Sequence, residues 1–212
     1  MAPRAPRRSP LAVQVLQLLD EEPMHAYRMQ RLITERHKAR IVNVAHRNSL
    51  YQTLDWLLRA ELIEVHRVEG DPGRPERTVY RLTGSGRSTL AGWLRTMLST
   101  PAQEYPEFPV AIAALPSLTP ELAIELLAER VRALQEELDR ADDEAAQADR
   151  MGLPRLLFLE HEFLRTVTAA ELRWVEAVLG DLRAGRITWD REWRPRSALA
   201  SHDGRRGTTL ET

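Results

Sequence analysis

Residues 44–83 read VAHRNSLYQTLDWLLRAELIEVHRVEGDPGRPERTVYRLT, and this stretch decides the fold. Its leucines recur at the spacing of one buried helix face, which predicts a helix over about residues 45–61. Two runs of nearly alternating apolar residues flank the Gly- and Pro-rich loop 70–77, and they predict an antiparallel hairpin. A helix followed at once by a hairpin with arginines at its tip is the layout of a winged helix-turn-helix.

Three more helices complete this domain. The first is predicted over about residues 10–19, where Pro10 suits the first turn. The others are predicted over about residues 24–36 and 85–98. We therefore expect a winged helix-turn-helix over residues 10–99, in a chain that is mostly α with a small β-hairpin.

The second half predicts two long helices joined by a short turn. One begins at about Pro120 and the other spans about residues 155–184, after a linker over residues 100–119. Apolar residues at alternating spacings of four and three form a seam on each helix. Such helices pack as an antiparallel hairpin, and we expect residues 120–189 to form a helical dimerisation domain.

A single helical pair buries little apolar surface. We therefore expect the hairpin to pair with a second copy in a homodimer, and an intramolecular bundle in a monomer is the alternative. The predicted interface consists of Leu127, Val131, Leu134, Leu138, Phe163, Val167 and Trp174. The whole predicted seam of the second helix is Leu156, Leu159, Phe163, Val167, Ala170, Trp174 and Ala177.

Charge is unevenly distributed along the chain. Residues 1–100 carry 16 Arg and Lys against 10 Asp and Glu, a balance of +6, and residues 101–212 carry 14 against 21, a balance of −7. The net charge of −1 therefore hides a basic half and an acidic half. This asymmetry favours a polyanionic partner for the first half, although a surplus of this size also arises by chance.

The composition disfavours several classes of function. The absence of cysteine excludes a disulfide framework, a thiol nucleophile and a thiolate zinc site. The pair His161-Glu162 is followed by Arg165 where a zinc-protease helix has its second histidine. We expect no enzyme, no metal and no cofactor. No apolar run approaches a membrane span and no signal peptide is visible, so the protein is predicted to be cytoplasmic.

Both ends of the chain are predicted to be disordered. Residues 1–9 form a basic arm, which either reaches a DNA minor groove or is a plain flexible tail. Residues 190–212 are rich in Arg, Pro, Gly, Ser and Thr, and we expect them to stay unfolded as well.

Several short runs carry a family resemblance when they occur together. They are Glu22–Tyr27, Ser49–Leu54, Ala60–Ile63 and Tyr80–Thr83 with Gly86, and in the second half Glu171–Trp174 and Leu182–Gly185. In this combination the chain resembles the PadR family of bacterial transcriptional regulators, in the larger subgroup with a C-terminal two-helix dimerisation domain. Two positions depart from the family pattern, since Ala26 stands for the usual Gly and Gln52 for the usual Pro.

The first two turns of the helix at residues 45–61 are predicted to read base edges in the major groove. Arg47 can bond bidentately to guanine, and Asn48 or Gln52 can do so to adenine. Arg47 and Asn48 diverge by about 100° on a helix, so only one of them is expected to point straight into the groove. The predicted contacts from this segment are His46, Arg47, Asn48, Ser49, Tyr51 and Gln52.

Further DNA contacts are predicted outside that helix. Arg74 and Arg77 of the wing should meet the DNA backbone or minor groove, or else be solvated surface charges. The family resemblance implies that Tyr27 and Tyr51 contact phosphates. Half-buried packing is the alternative for both tyrosines.

The resemblance also implies a small aromatic or drug-like effector, bound between the domains or at the dimer centre. The candidate residues are Trp93, Tyr105, Phe108, Phe158 and His161, and plain core packing is the alternative for each. The prediction is thus a homodimeric repressor of an approximately palindromic double-stranded DNA operator, released by an effector. The alternatives are a winged-helix module for protein contact without a specific DNA target, and an enzyme with a cryptic site in the helical domain.

Overall fold

The computed structural model describes residues 8–42, 47–70 and 76–190. The chain divides into two compact units, the first ending at Glu104 and the second beginning at Tyr105. Within the described ranges, no helix is long and apolar enough to cross a membrane. The elements of the first unit are α1 (Pro10–Glu21), β1 (Met24–His25), α2 (Ala26–Glu35), a 3₁₀ helix (Lys38–Arg40), α3 (Arg47–Arg59), β2 (Ile63–Glu69), β3 (Arg77–Leu82) and α4 (Gly84–Ser99).

Helix α1 is the centre of the first unit. It begins where Ser9 Oγ accepts a hydrogen bond from the Ala12 amide at 3.1 Å, with Pro10 in the first turn as predicted. Helices α2, α3 and α4 and strand β3 all contact it. The helix is therefore buried on more than the one face that its leucine spacing predicts, through Leu11, Ala12, Val13, Val15, Leu16, Leu18 and Leu19.

The sheet has three strands, in the order β1-β3-β2, rather than the two of a hairpin. Met24 and His25 pair antiparallel with β3 at the place where the second helix was expected to begin. That boundary is wrong, because α2 begins only at Ala26, where His25 Nδ1 accepts a hydrogen bond from the Arg28 amide at 3.1 Å. A strand of two residues has no periodicity by which a sequence could reveal it.

Strand β2 contains a bulge at His66. Val65 pairs with Tyr80 and Arg67 pairs with the adjacent Val79, so the register shifts by one residue between them. This extra residue explains why apolar positions in the strand only nearly alternate.

Thr83 and Gly86 join the hairpin to α4. Thr83 Oγ1 accepts a hydrogen bond from the Gly86 amide at 2.9 Å and donates one to the Glu61 carbonyl at 2.8 Å. A Cβ atom at residue 86 would collide with the Leu62 carbonyl oxygen and would lie 2.6 Å from Leu82 Cδ1. Glycine therefore lets the start of α4 pack directly on the base of the hairpin.

The second unit is a helical hairpin with a short helix packed on it. Arg130 on α6 (Pro120–Arg150) bonds to Glu171 on α7 (Leu159–Arg183). Asp142, farther along α6, bonds to Arg165, which comes earlier on α7. The two helices therefore run antiparallel, as predicted. The elements are α5 (Glu107–Ala113), a 3₁₀ helix (Leu115–Ser117), α6 (Pro120–Arg150), a 3₁₀ helix (Arg155–Phe158) and α7 (Leu159–Arg183).

Helix α6 packs against α7 through the apolar face predicted for it. The face of α7 that it contacts is not the predicted one. The seam predicted for α7 is exposed instead, with Phe163, Val167 and Trp174 at 66%, 48% and 46% of their full accessibility. This corrects the predicted packing: α7 has two apolar faces, and sequence spacing does not decide which one meets α6. The cluster that closes the hairpin consists of Leu127, Leu134 and Leu138 from α6 with Leu172, Val175, Leu179 and Leu182 from α7.

The segment predicted as a linker, residues 100–119, contains α5. Phe108 and Ile112 of this helix pack against the hairpin cluster. After α7, Trp189 Nε1 donates a hydrogen bond to the Leu118 carbonyl at 2.8 Å. Both contacts tie the segment before α6 to the hairpin.

Candidate nucleic-acid interface

The outward face of α3 carries polar and aromatic side chains. Tyr51 is 53% exposed and Gln52 is also exposed. The inward face is buried in the core of the first unit through Leu50, Leu54 and Leu57. The helix therefore presents Tyr51 and Gln52 to solvent near its amino end, where the sequence places base-reading residues.

The other residues of this segment that are predicted to contact DNA lie at its start. Arg47 and Asn48 form the beginning of α3, and Ser49 beside them is partly buried. His46 lies outside the described residues.

Aromatic side chains hold α3 against the rest of the first unit. Trp56 of α3 and Trp93 of α4 stack with ring centroids 6.3 Å apart. Tyr80 of β3 packs against the same core, and its burial, followed by the negative Asp55 carboxylate on α3, raises the pKa of its phenol. Tyr80 is neutral at physiological pH and packs against the cluster that also contains Leu50, Leu54 and Leu57 of α3.

Tyr27 is 58% exposed near the amino end of α2. Its ring stacks on that of His25 with centroids 6.3 Å apart, and His25 caps the same helix. Tyr27 and Tyr51 are each a little more than half exposed, which is compatible with a phosphate contact and with half-buried packing.

The described part of the wing has few uncompensated charges. Arg77 is exposed at the start of β3, whereas Arg74 lies outside the described residues. Two other wing arginines each lie 2.6 Å from a carboxylate oxygen: Arg67 from Glu69 and Arg81 from Glu64. These pairs reduce the attraction that the wing stem would exert on a polyanion.

Sequence reasoning passed over the turn between α2 and α3. There Arg36 caps the carboxyl end of α2, His37 adopts a left-handed conformation with φ of 54°, and Lys38–Arg40 form the 3₁₀ helix. The available signal was the absence of any acidic residue from 36 to 54. A charge balance taken over residues 1–100 does not reveal a segment this short.

The five predicted effector residues occupy both units. Trp93 belongs to the first unit, whereas Tyr105 is 87% exposed in the second. Phe108 meets Trp174 edge to face with centroids 6.0 Å apart, and the Arg130 guanidinium lies 3.5 Å from the Phe108 ring centre. The last two residues, Phe158 and His161, contact each other with ring centroids 5.6 Å apart.

The histidine and carboxylate side chains were also compared with what a metal site requires. His161 Nδ1 lies 3.3 Å from a Glu160 carboxylate oxygen. Across the part of the chain that the structure describes, no three or more His, Asp or Glu side chains are grouped to hold a metal ion.

Comparison with known proteins identifies a family domain in the first unit. Residues 15–92 match the Transcriptional regulator PadR-like family. A comparison with curated proteins gives no match.

Several solved structures share the fold. Bacillus subtilis PadR in complex with operator DNA is 20% identical with a TM-score of 0.66, over 81% of this chain and 98% of that one. Bacillus subtilis PadR in complex with p-coumaric acid is 18% identical with a TM-score of 0.65, over 82% and 99%. The PadR-like regulator BC1756 from Bacillus cereus is 15% identical with a TM-score of 0.56, over 85% and 99%. At these identities the likeness establishes the fold.

Proposed function

Because residues 15–92 carry a PadR-like transcriptional-regulator domain, we propose that this chain is a homodimeric, sequence-specific DNA-binding regulator. It acts in the cytoplasm as a repressor that a small-molecule effector releases from its operator. The observation that carries the proposal is the outward face of α3, where Tyr51 and Gln52 are exposed on a helix whose other side is buried.

Base reading is assigned to the amino end of α3. Gln52 can bond bidentately to adenine, and Arg47 or Asn48 supplies a second reading position. Tyr27 and Tyr51 contact phosphates, and Arg77 positions the wing on the backbone together with Arg74. The solved structure of Bacillus subtilis PadR with operator DNA supports this role for the fold.

The homodimer is assigned to the exposed stripe of α7. Phe163, Val167 and Trp174 follow one another at spacings of four and seven, so they share one helix face. A second copy covers them by presenting the same stripe across a twofold axis. Leu127, Leu134 and Leu138 are excluded from this contact, because their own α7 already covers them.

The effector is assigned to the aromatic residues of the second unit. Bacillus subtilis PadR has been solved with p-coumaric acid, which supports a small aromatic compound as the chemical class. Phe108 with Trp174, and Phe158 with His161, are the candidate contacts. The effector releases DNA because it binds the DNA-incompetent dimer more tightly than the competent one.

Selection from a random library of double-stranded DNA tests the proposal even though the operator sequence is unknown. The expected result is enrichment of one approximately palindromic motif whose half-sites lie about one helical turn apart. Recovery of unrelated sequences after repeated rounds would contradict sequence-specific binding. The protein-interaction alternative predicts that outcome.

A further inference from the structure

The segment between Glu35 and Asp55 contains no acidic residue. It carries Arg36, Lys38, Arg40 and Arg47 as well as two histidines. The segment is therefore a local concentration of positive charge along the sequence.

The turn Arg36–Arg40, which we call the basic turn, is anchored at its first residue. The Arg36 guanidinium donates to both carboxylate oxygens of Glu21, at 2.6 and 2.7 Å. This paired hydrogen bond lowers the pKa of Glu21 and raises that of Arg36, so both groups stay charged at physiological pH. The end of α2 is thereby fixed to the end of α1.

The other end of the basic turn is anchored in the core. Val42 is 4% exposed and belongs to the hydrophobic cluster of the first unit. Within the turn, the His37 amide donates to the Thr34 carbonyl at 3.0 Å and the Ile41 amide donates to the Lys38 carbonyl at 3.0 Å. These two backbone hydrogen bonds close the turn between the two anchors.

Between these anchors the turn displays its cations to solvent. Arg40 is exposed and Lys38 is partly exposed. The turn also precedes α3 directly along the chain, so it shares a unit with the helix assigned to base reading. Two cations on the turn that comes before the groove-reading helix suit the phosphates that border the groove.

We propose that the basic turn binds the phosphate backbone of double-stranded DNA, with Lys38 and Arg40 as the contacting cations. Arg36 acts as a positioning residue, because its guanidinium is committed to Glu21. The assignment rests on the proposed function and adds a second anchoring point to it. Such contacts raise affinity for every sequence alike, because phosphates carry no sequence information.

The test is a salt titration of DNA affinity with the double variant Lys38→Gln, Arg40→Gln. Each phosphate contact contributes about 0.9 to the slope of log K against log salt concentration. The double variant should therefore show a slope shallower by about 1.8 and, at about 0.1 M salt, an affinity lower by at least about tenfold. Sequence preference should not change. The conservative variant Lys38→Arg, Arg40→Lys should keep both affinity and slope.

The matched control is the double variant Arg87→Gln, Arg95→Gln on α4. It removes the same two charges from the first unit but lies outside residues 36–54. Circular dichroism melting confirms that all variants are folded. An unchanged slope in the basic-turn variant, or an equal change in the control, would overturn the assignment while leaving the proposed function intact. Failure of the unmodified chain to bind any DNA would overturn both.

Discussion

Gly86 is a position in the first unit where neighbouring atoms leave no room for a side chain. Any Cβ at this position collides with the Leu62 carbonyl oxygen, and a backbone atom cannot move aside as the end of a flexible side chain can. Gly86→Ala should therefore destabilise the chain by about 2 kcal/mol or more. Thermal unfolding followed by circular dichroism measures the change.

Gly92 provides the matched control in the same helix. A Cβ there meets no atom within 4 Å. Gly92→Ala should stabilise α4 by about 0.5–1 kcal/mol, because alanine loses less backbone freedom than glycine on folding. Equal effects of the two substitutions would contradict the role assigned to Gly86.

Glu61 occupies a position that favours glycine. It follows α3 with φ of 56°, and the Glu61 and Leu62 amides donate to the Leu58 and Leu57 carbonyls at 2.9 and 3.0 Å. Gly152 and Gly185 hold the corresponding left-handed positions after α6 and α7.

Relief of this backbone strain is directly testable. Glu61→Gly should raise the free energy of unfolding by about 1 kcal/mol, because glycine adopts the left-handed conformation without a steric penalty. Glu61→Ala keeps the Cβ atom and should show no such gain. A chemical denaturation series compares the three proteins, and an equal gain for alanine would exclude strain as the cause.

At the scale of elements, α3 and the wing have different assigned roles. Arg47→Ala should change which sequences are preferred, with a cost of roughly 1–3 kcal/mol on the preferred site. If Asn48 supplies the second reading position instead, Asn48→Ala shows that change and Arg47→Ala does not. Competition binding with single-base operator variants separates the two.

Arg77 tests the wing by comparison with α3. Arg77→Ala should weaken binding to all sequences similarly and make the salt slope shallower by about 1, since a backbone contact is lost without any base reading. A change in sequence preference on substitution of Arg77 would contradict this division of roles.

The sequence predicts elements with a clear period better than those without one. The leucines of α3 and the turn residues of the hairpin were sufficient for the winged helix. Strand β1 has only Met24 and His25 and no period, and the bulge at His66 leaves only an imperfect alternation. Both apolar faces of α7 have helical spacing, so the sequence does not show which of them packs against α6. That contact depends on three-dimensional packing.

In the candidate site, too, some features follow from the spacing of residues in the sequence and others do not. The exposure of Tyr51 and Gln52 follows from the burial of the leucines on the opposite face of α3, which spacing reveals. The neutralised arginines of the wing do not follow from sequence, because Arg81 and Glu64 meet only when the strands pair. The absence of acidic residues from 36 to 54 can be read from the sequence, but only when charge is counted over short segments and not over half of the chain.

At the scale of the whole molecule, the exposed stripe of α7 predicts the oligomeric state. Val167→Glu places a charge in the proposed interface and should convert the dimer to a monomer in sedimentation equilibrium. DNA affinity should fall with it, because two half-sites no longer bind together. The matched control Ala146→Glu adds the same charge at an exposed position of α6. A dimer that survives Val167→Glu would place the interface elsewhere.

The proposed function requires that the chain recognise one particular DNA sequence. DNase I footprinting of the purified protein on the region upstream of its own gene, at physiological salt, tests this most directly. We expect one protected, approximately palindromic site with half-sites about one helical turn apart. Absence of protection, or uniform protection along the fragment, would contradict it.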